Sequence, residues 1–143
     1  MDRSIKSFSV QSFLSLWLTS FLILVCLDIV WIRYSMSWLY RPVYKKIQKQ
    51  FVFRPWSAVF VWILLSLALT VHVYPHRPQD LHGACRTGVL MGFILYGMYN
   101  FTNHSLLQAY DLRLAILDTV WGMIVMGLSA GLLYTFQTKI WSR

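Results

Sequence analysis

Two aspartates are the residues in this chain best placed to do chemistry. A five-residue pattern occurs twice inside strongly apolar stretches, as Leu27-Asp28-Ile29-Val30-Trp31 and as Leu117-Asp118-Thr119-Val120-Trp121. A carboxylate in a membrane-length apolar segment is expensive, so it usually faces a protein interior or a polar cavity. Two of them point to a buried polar site rather than a simple anchor. Between them lie Tyr96, Tyr99, Asn100 and Asn103. Their three- and four-residue spacings put them on one helical face. Such a set could bind a small polar or cationic ligand, a proton or a lipid headgroup. Asp28 and Asp118 would supply charge, and Asn100, Asn103 and the tyrosines would orient the ligand.

The elements that must position these residues follow from composition. The 143 residues are 57% hydrophobic and 13% charged, about half the charge of an average soluble domain. That balance indicates the bilayer. Spanning about 30 Å of hydrocarbon takes roughly 20 helical residues, and four segments qualify: about 13–31, 56–74, 83–103 and 114–136. The third carries Arg86 near its start, which can snorkel to the interface. The connections read as a basic loop between spans one and two, a short Pro-containing turn and a short polar loop. Pro42, Pro55, Pro75 and Pro78 fall in or beside the first two connections, where a missing backbone donor does least harm. Lipid tolerates only helices or closed barrels. The expected fold is therefore all-α, a four-span transmembrane helical bundle forming one domain over residues 1–143. The apolar run from Phe13 has no small-residue cleavage site and is read as retained rather than as a signal peptide.

Four spans put both termini on one face and the first and third loops on the other. The loop face carries Arg33, Arg41, Lys45, Lys46, Lys49, Arg54 and Arg113; the terminal face carries Arg3, Lys6, Arg77, Arg86, Lys139 and Arg143. The densest cluster is in the first loop, so the positive-inside rule leans toward loops inside. The net charge of +8 suits anionic lipid headgroups. No basic region stands clear of the apolar spans, so nucleic acid is not the expected partner. Cys26 and Cys85 fall toward opposite membrane faces, too far apart for a disulfide, and read as buried small hydrophobes. Gly88 and Gly92, with Gly127 and Gly131, form two small-xxx-small patterns that let helix backbones approach closely. His72, His76 and His82 lack a carboxylate or thiol with a fixed place among them and read as interfacial residues rather than a metal site.

Span direction turns scattered residues into a constellation. The first and third spans end at the loop face and the fourth begins there. Asp28, Trp31, Tyr96, Tyr99, Asn100, Asn103, Asp118 and Trp121 therefore share one leaflet, with both acids within roughly 6 Å of the hydrocarbon boundary at 1.5 Å per residue. Each also has a plainer reading. Trp31, Tyr99 and Trp121 fit an interfacial aromatic belt. Asn100 and Asn103 fit interhelical hydrogen bonding. Either aspartate fits an ion pair with Arg33, Arg54 or Arg113.

These residues resemble a family of small bacterial integral membrane proteins catalogued as domain of unknown function 2177. The family pattern has Asp-x-x-Trp in the first span, Tyr-x-x-Tyr-Asp-x-Thr-Asn in the third and Asp-x-x-Trp-Gly opening the fourth. The matching residues are Asp28 and Trp31; Tyr96, Tyr99, Thr102 and Asn103; and Asp118, Trp121 and Gly122. Asn100 stands where the family pattern has Asp, so a proton or cation ligand at that position would have lost its charge here. The resemblance implies a four-span protein of a bacterial inner membrane, with eukaryotic and viral membranes left open. It brings no established activity.

Two classes of function remain. One is binding or translocation at the Asp/Asn/Tyr cluster; a four-helix chain is small for a transporter, so that version implies a homo-oligomer. The other is a structural or accessory subunit of a membrane complex, whose polar cluster fixes helix pairing and whose partner would be a membrane protein. Catalysis ranks below both. Two aspartates could act as acid and base, but no nucleophile motif, metal-ligand cluster, phosphate loop or dinucleotide fingerprint accompanies them. No catalytic residue, metal or cofactor is assigned.

Overall fold

In lipid a backbone satisfies its own polar groups as a helix or a closed barrel, and apolar runs of about 20 residues are helix length. The structure, a computed structural model, describes residues 10–48, 50, 52–76 and 80–141, without the side chains of 74–76, 140 and 141. All regular structure among them is helical. The order is α1 (Val10–Ser35), a π-helical turn (Met36–Tyr40), α2 (Arg41–Ile47), α3 (Pro55–His76), α4 (Leu81–Leu106) and α5 (Leu112–Trp141). Arg3, Lys6, Lys49, Arg77 and Arg143, used in the charge reading, and Pro78, used in the reading of the connections, lie outside the described residues, as does the side chain of His76.

The architecture is the expected all-α bundle of four long helices. Three segments, Val10–Ile47, Pro55–Val73 and Leu112–Lys139, are long and apolar enough to cross a membrane. At 26 residues, α4 runs about 39 Å at 1.5 Å per residue, which is also membrane length. Its His82, Arg86, tyrosines and asparagines make it the least apolar of the four. A ring of outward-facing residues, including Leu18, Leu22, Val59, Phe60, Ile124 and Leu128, is exposed. A lipid-facing surface has this character.

Small residues decide which helices meet. The most extensive packing joins α4 to α5. There the expected glycine spacing is used on both sides: Gly88 lies on the Met126 backbone and Ala130, Gly92 on Gly122, and Gly127 on Val89. The α1–α3 contact uses Ser20, Ser66 and Thr70, all fully buried. Trp17 Nε1 donates to Ser66 Oγ at 3.0 Å and Ser20 Oγ to the Ser66 carbonyl at 3.4 Å. α1 also packs on α5, while α3 and α4 barely touch. An apolar cluster containing Leu16, Leu24, Leu65, Leu69, Met126 and Leu133 fills one part of the bundle.

The first connection departs from expectation. In place of an irregular loop of about 24 residues, helix continues through the π turn and α2 to Ile47. Two physical causes are visible. Pro42 has no N–H to offer Trp38, and in an α-helix its ring would press on that carbonyl. The chain widens just before it, so that Arg41 N–H reaches back five residues to the Met36 carbonyl. The segment also has apolar residues to bury. Leu39 and Val43 pack with Tyr110, Leu114 and Ala115 in a second cluster over the start of α5.

The cysteine expectation holds in one part and fails in another. Both thiols are free, but Cys26 is exposed and Cys85 only half-buried. Cys26 lies on an outward face of α1, where hydrocarbon accommodates a small apolar side chain as readily as a protein core does.

Candidate functional site

Asp28 sits on the inward face of α1, 6% exposed. Its Oδ1 accepts from Trp121 Nε1 at 2.7 Å. Its Oδ2 accepts from Trp62 Nε1 at 2.9 Å and from the Tyr96 hydroxyl at 3.4 Å. One carboxylate on α1 is thereby tied to α3, α4 and α5. Helical rise sets the depth of each donor, and the α4–α5 glycine contact brings Tyr96 against Gly122 one residue from Trp121.

Asp118, 7% exposed on α5, is held from a different direction. The Tyr40 hydroxyl, at the end of the π turn, donates to its Oδ1, and Asn100 Nδ2 donates to its Oδ2 at 2.8 Å. Asn100 also donates to the Tyr96 carbonyl at 2.9 Å and accepts from the Tyr110 hydroxyl at 2.6 Å. Trp31 Nε1 donates to the Tyr40 oxygen at 2.9 Å. The result is a continuous polar chain from Trp31 through Tyr40, Asp118 and Asn100 to Tyr110. Two ring stacks brace it: Trp31 on Trp121 at 4.8 Å and 8°, and Tyr40 on Tyr44 at 6.2 Å and 13°. Tyr110, in the connection between α4 and α5, is 2% exposed. Burial first, then the nearby Tyr99 and Asp118, pushes its phenol above the usual range.

Both aspartates face one cavity of about 370 Å³. α1 contributes Trp31 and Ile32 beside Asp28; the π turn and α2 contribute Tyr40 and Tyr44. α3 contributes Ala58, Val61, Trp62 and Leu65, α4 contributes Leu95, Tyr96 and Tyr99, and α5 contributes Trp121 beside Asp118. Among the described residues no basic side chain lines it. The hydrogen-bond partners of both carboxylates are neutral.

The ion-pair alternative fails. Arg33, Arg54 and Arg113 are exposed, and Arg113 lies 5.7 Å over the Trp38 ring instead. Among the described residues no three His, Cys, Asp or Glu side chains converge as a metal cluster. A cation here would rest on two carboxylates and neutral groups.

The structure draws Asp28, Trp31, Tyr96, Asn100, Asp118 and Trp121 into one network. Tyr99 lines the cavity and is 54% exposed. Asn100 lies behind Asp118, and half-buried Asn103 lies beside Tyr110, so neither asparagine reaches the cavity wall. Trp62, Tyr40, Tyr44 and Tyr110 belong to the site without having been singled out by sequence. Trp62 had a usable signal, since the second span starts at the loop face and places it at the depth of Asp28. The other three lie in segments read as loops, whose course no periodicity reveals.

A family described as predicted membrane protein, domain of unknown function 2177 (DUF2177), matches residues 13–135. The chain belongs to this family. The match runs from α1 into α5 and so contains every residue that binds either aspartate. It makes the chain a multi-pass integral membrane protein, with the lipid bilayer as its surroundings. No curated protein and no solved structure matches it.

Proposed function

We propose that this DUF2177 protein holds an intramembrane binding site for a small polar or cationic ligand, with Asp28 and Asp118 as its charged groups. One observation carries the reading: among the described residues, two carboxylates with only neutral hydrogen-bond partners share a cavity of about 370 Å³ that no basic side chain lines. A carboxylate in lipid is costly, and a pair with no internal counter-charge favours a cation or proton from outside. Trp31, Tyr96, Tyr99 and Trp121 form the wall, while Asn100 and Asn103 support it from behind. If the site translocates its ligand, a homo-oligomer is the expected assembly. A bacterial inner membrane is the setting that the motif resemblance implies.

The test is native mass spectrometry of protein extracted gently from its own membrane, comparing wild type with Asp28→Asn and Asp118→Asn. At an effective dielectric near 20 a carboxylate about 4 Å from a unit cation contributes about 4 kcal/mol before desolvation. A tenfold or greater loss of retained ligand is expected in each variant. Undiminished retention in both folded variants would sink the reading.

A second reading is favoured by the span of the Asp28 hydrogen bonds, which join α1 to the three other long helices. Under it the polar network specifies helix packing and the chain serves as a structural or accessory subunit. The same variants would then melt earlier in detergent, with no ligand difference and a partner protein retained. A turnover assay on lipid-linked substrates addresses catalysis, which no observation here favours.

A further inference from the structure

We infer that the cavity takes an organic ammonium group, carried into it on a membrane lipid through the gap between α3 and α4. This rests on the binding reading above and names the ligand class and its route. The charge argument comes first. Asp28 and Asp118 both line the cavity and, among the described residues, no lysine or arginine does, so a ligand that leads with a phosphate or carboxylate would meet two like charges. The hydrogen-bond argument narrows the choice further. Trp31, Trp62, Trp121, Tyr40 and Tyr96 already donate to acceptors inside the protein. A sugar or other neutral polyol would therefore find few donors. What remains toward the cavity is carboxylate oxygen and aromatic surface. An ionised carboxylate has about four acceptor positions, and Asp118 uses two. Three indoles and four phenols line the same space; aromatic faces with nearby carboxylates are what an ammonium group requires.

Size separates an organic cation from a bare ion. A water occupies about 30 Å³ of liquid, and the cavity has about 370 Å³. The space suits a small organic group rather than a proton or a dehydrated metal ion. The route follows from helix packing. α4 is welded to α5 and α1 to α3, whereas α3 and α4 barely touch. On that side the cavity wall is made by Ala58, Val61 and Leu65 of α3 and Leu95 and Tyr99 of α4. Val61 and Tyr99 are also exposed. An apolar, half-open seam admits the lipid from the side with only its ammonium end reaching the carboxylates.

The experiment uses the full chain in phosphatidylglycerol nanodiscs, which contain no amine, doped with phosphatidylethanolamine and read by native mass spectrometry. Wild type is expected to retain the amine lipid about tenfold above its mixing ratio, the scale of a desolvated cation–π contact. Asp28→Asn should lose the preference. So should Val61→Trp, which blocks the seam at a position outside the hydrogen-bond network and keeps the test informative if Asp28→Asn folds poorly. A tryptophan fluorescence change with free ethanolamine in pure phosphatidylglycerol discs, without lipid enrichment, would uphold the ammonium chemistry and overturn the lipid route. The absence of both responses in folded wild type would overturn the inference. If wild type still retains another molecule that Asp28→Asn loses, the binding site itself survives that failure.

Discussion

Replacing Gly92 with alanine should separate α4 from α5 and take the polar network with it. A methyl group there would overlap the Gly122 carbonyl and sit 2.8 Å from Met123 Cα. Both obstacles are backbone, so no rotamer change relieves them and the helices must move. Overpacking of this kind costs about 1–3 kcal/mol. The displacement also reaches Tyr96 and Asn100, one and two turns along the same helix, whose bonds to Asp28 and Asp118 are 3.4 and 2.8 Å long. Interhelical hydrogen bonds in membranes average about 0.6 kcal/mol each, for a combined loss of roughly 2–4 kcal/mol. Gly97 supplies the control on the same helix, because a methyl there meets only Thr119 Cγ2 at 3.7 Å, an ordinary contact. Gly97→Ala should therefore be neutral or slightly stabilising. The assay is unfolding by sodium dodecyl sulfate titration in mixed micelles, with tryptophan fluorescence reporting the Trp31–Trp121 stack. Equal stability of Gly92→Ala and wild type, or equal losses from the two substitutions, would refute the close-contact account.

Three further outcomes are expected. Tyr40→Phe removes the donor to Asp118 and the acceptor of Trp31; it should cost about 1–2 kcal/mol and speed proteolysis between Gln48 and Arg54, with unchanged cleavage rates counting against the π turn as a clasp. Tyr110 has its phenol raised by burial, so the unfolded chain ionises first as pH rises and stability falls above about pH 10, by up to about 1.4 kcal/mol per pH unit. Melts of wild type and Tyr110→Phe from pH 9 to 11 should show the phenylalanine variant with the shallower fall. Trp62→Phe takes one donor from Asp28 but leaves Trp121 and Tyr96, so thermal denaturation should show a loss of about 1 kcal/mol and an intact fold; unfolding outright would mean that Asp28 needs all three donors.

The depth of the site was legible because helical rise fixes it. With the four spans in place, Asp28, Tyr96, Asn100, Asp118 and Trp121 are expected at one level of the bundle, and hydrogen bonds join them there. The glycine pairs were legible for a related reason: a four-residue repeat of small residues has one stable use in lipid. Rotation about each helix axis was not legible, since lipid is as apolar as the core and erases the contrast between inside and outside. That is why Cys26 was expected to be buried and why Trp62 passed unmarked.

Composition and helical periodicity by themselves determined the membrane, the all-α bundle and the level at which two carboxylates lie, because these depend only on length, apolarity and rise. Tertiary structure alone decided that Asp28 is held by Trp62, Tyr96 and Trp121, and that Asp118 is held by Tyr40 and Asn100. It also decided that the helix beyond Ser35 folds over the start of α5. The physical reason is range. Depth is a local property of each helix, whereas hydrogen-bond partners as many as 93 residues apart are chosen by how the helices pack.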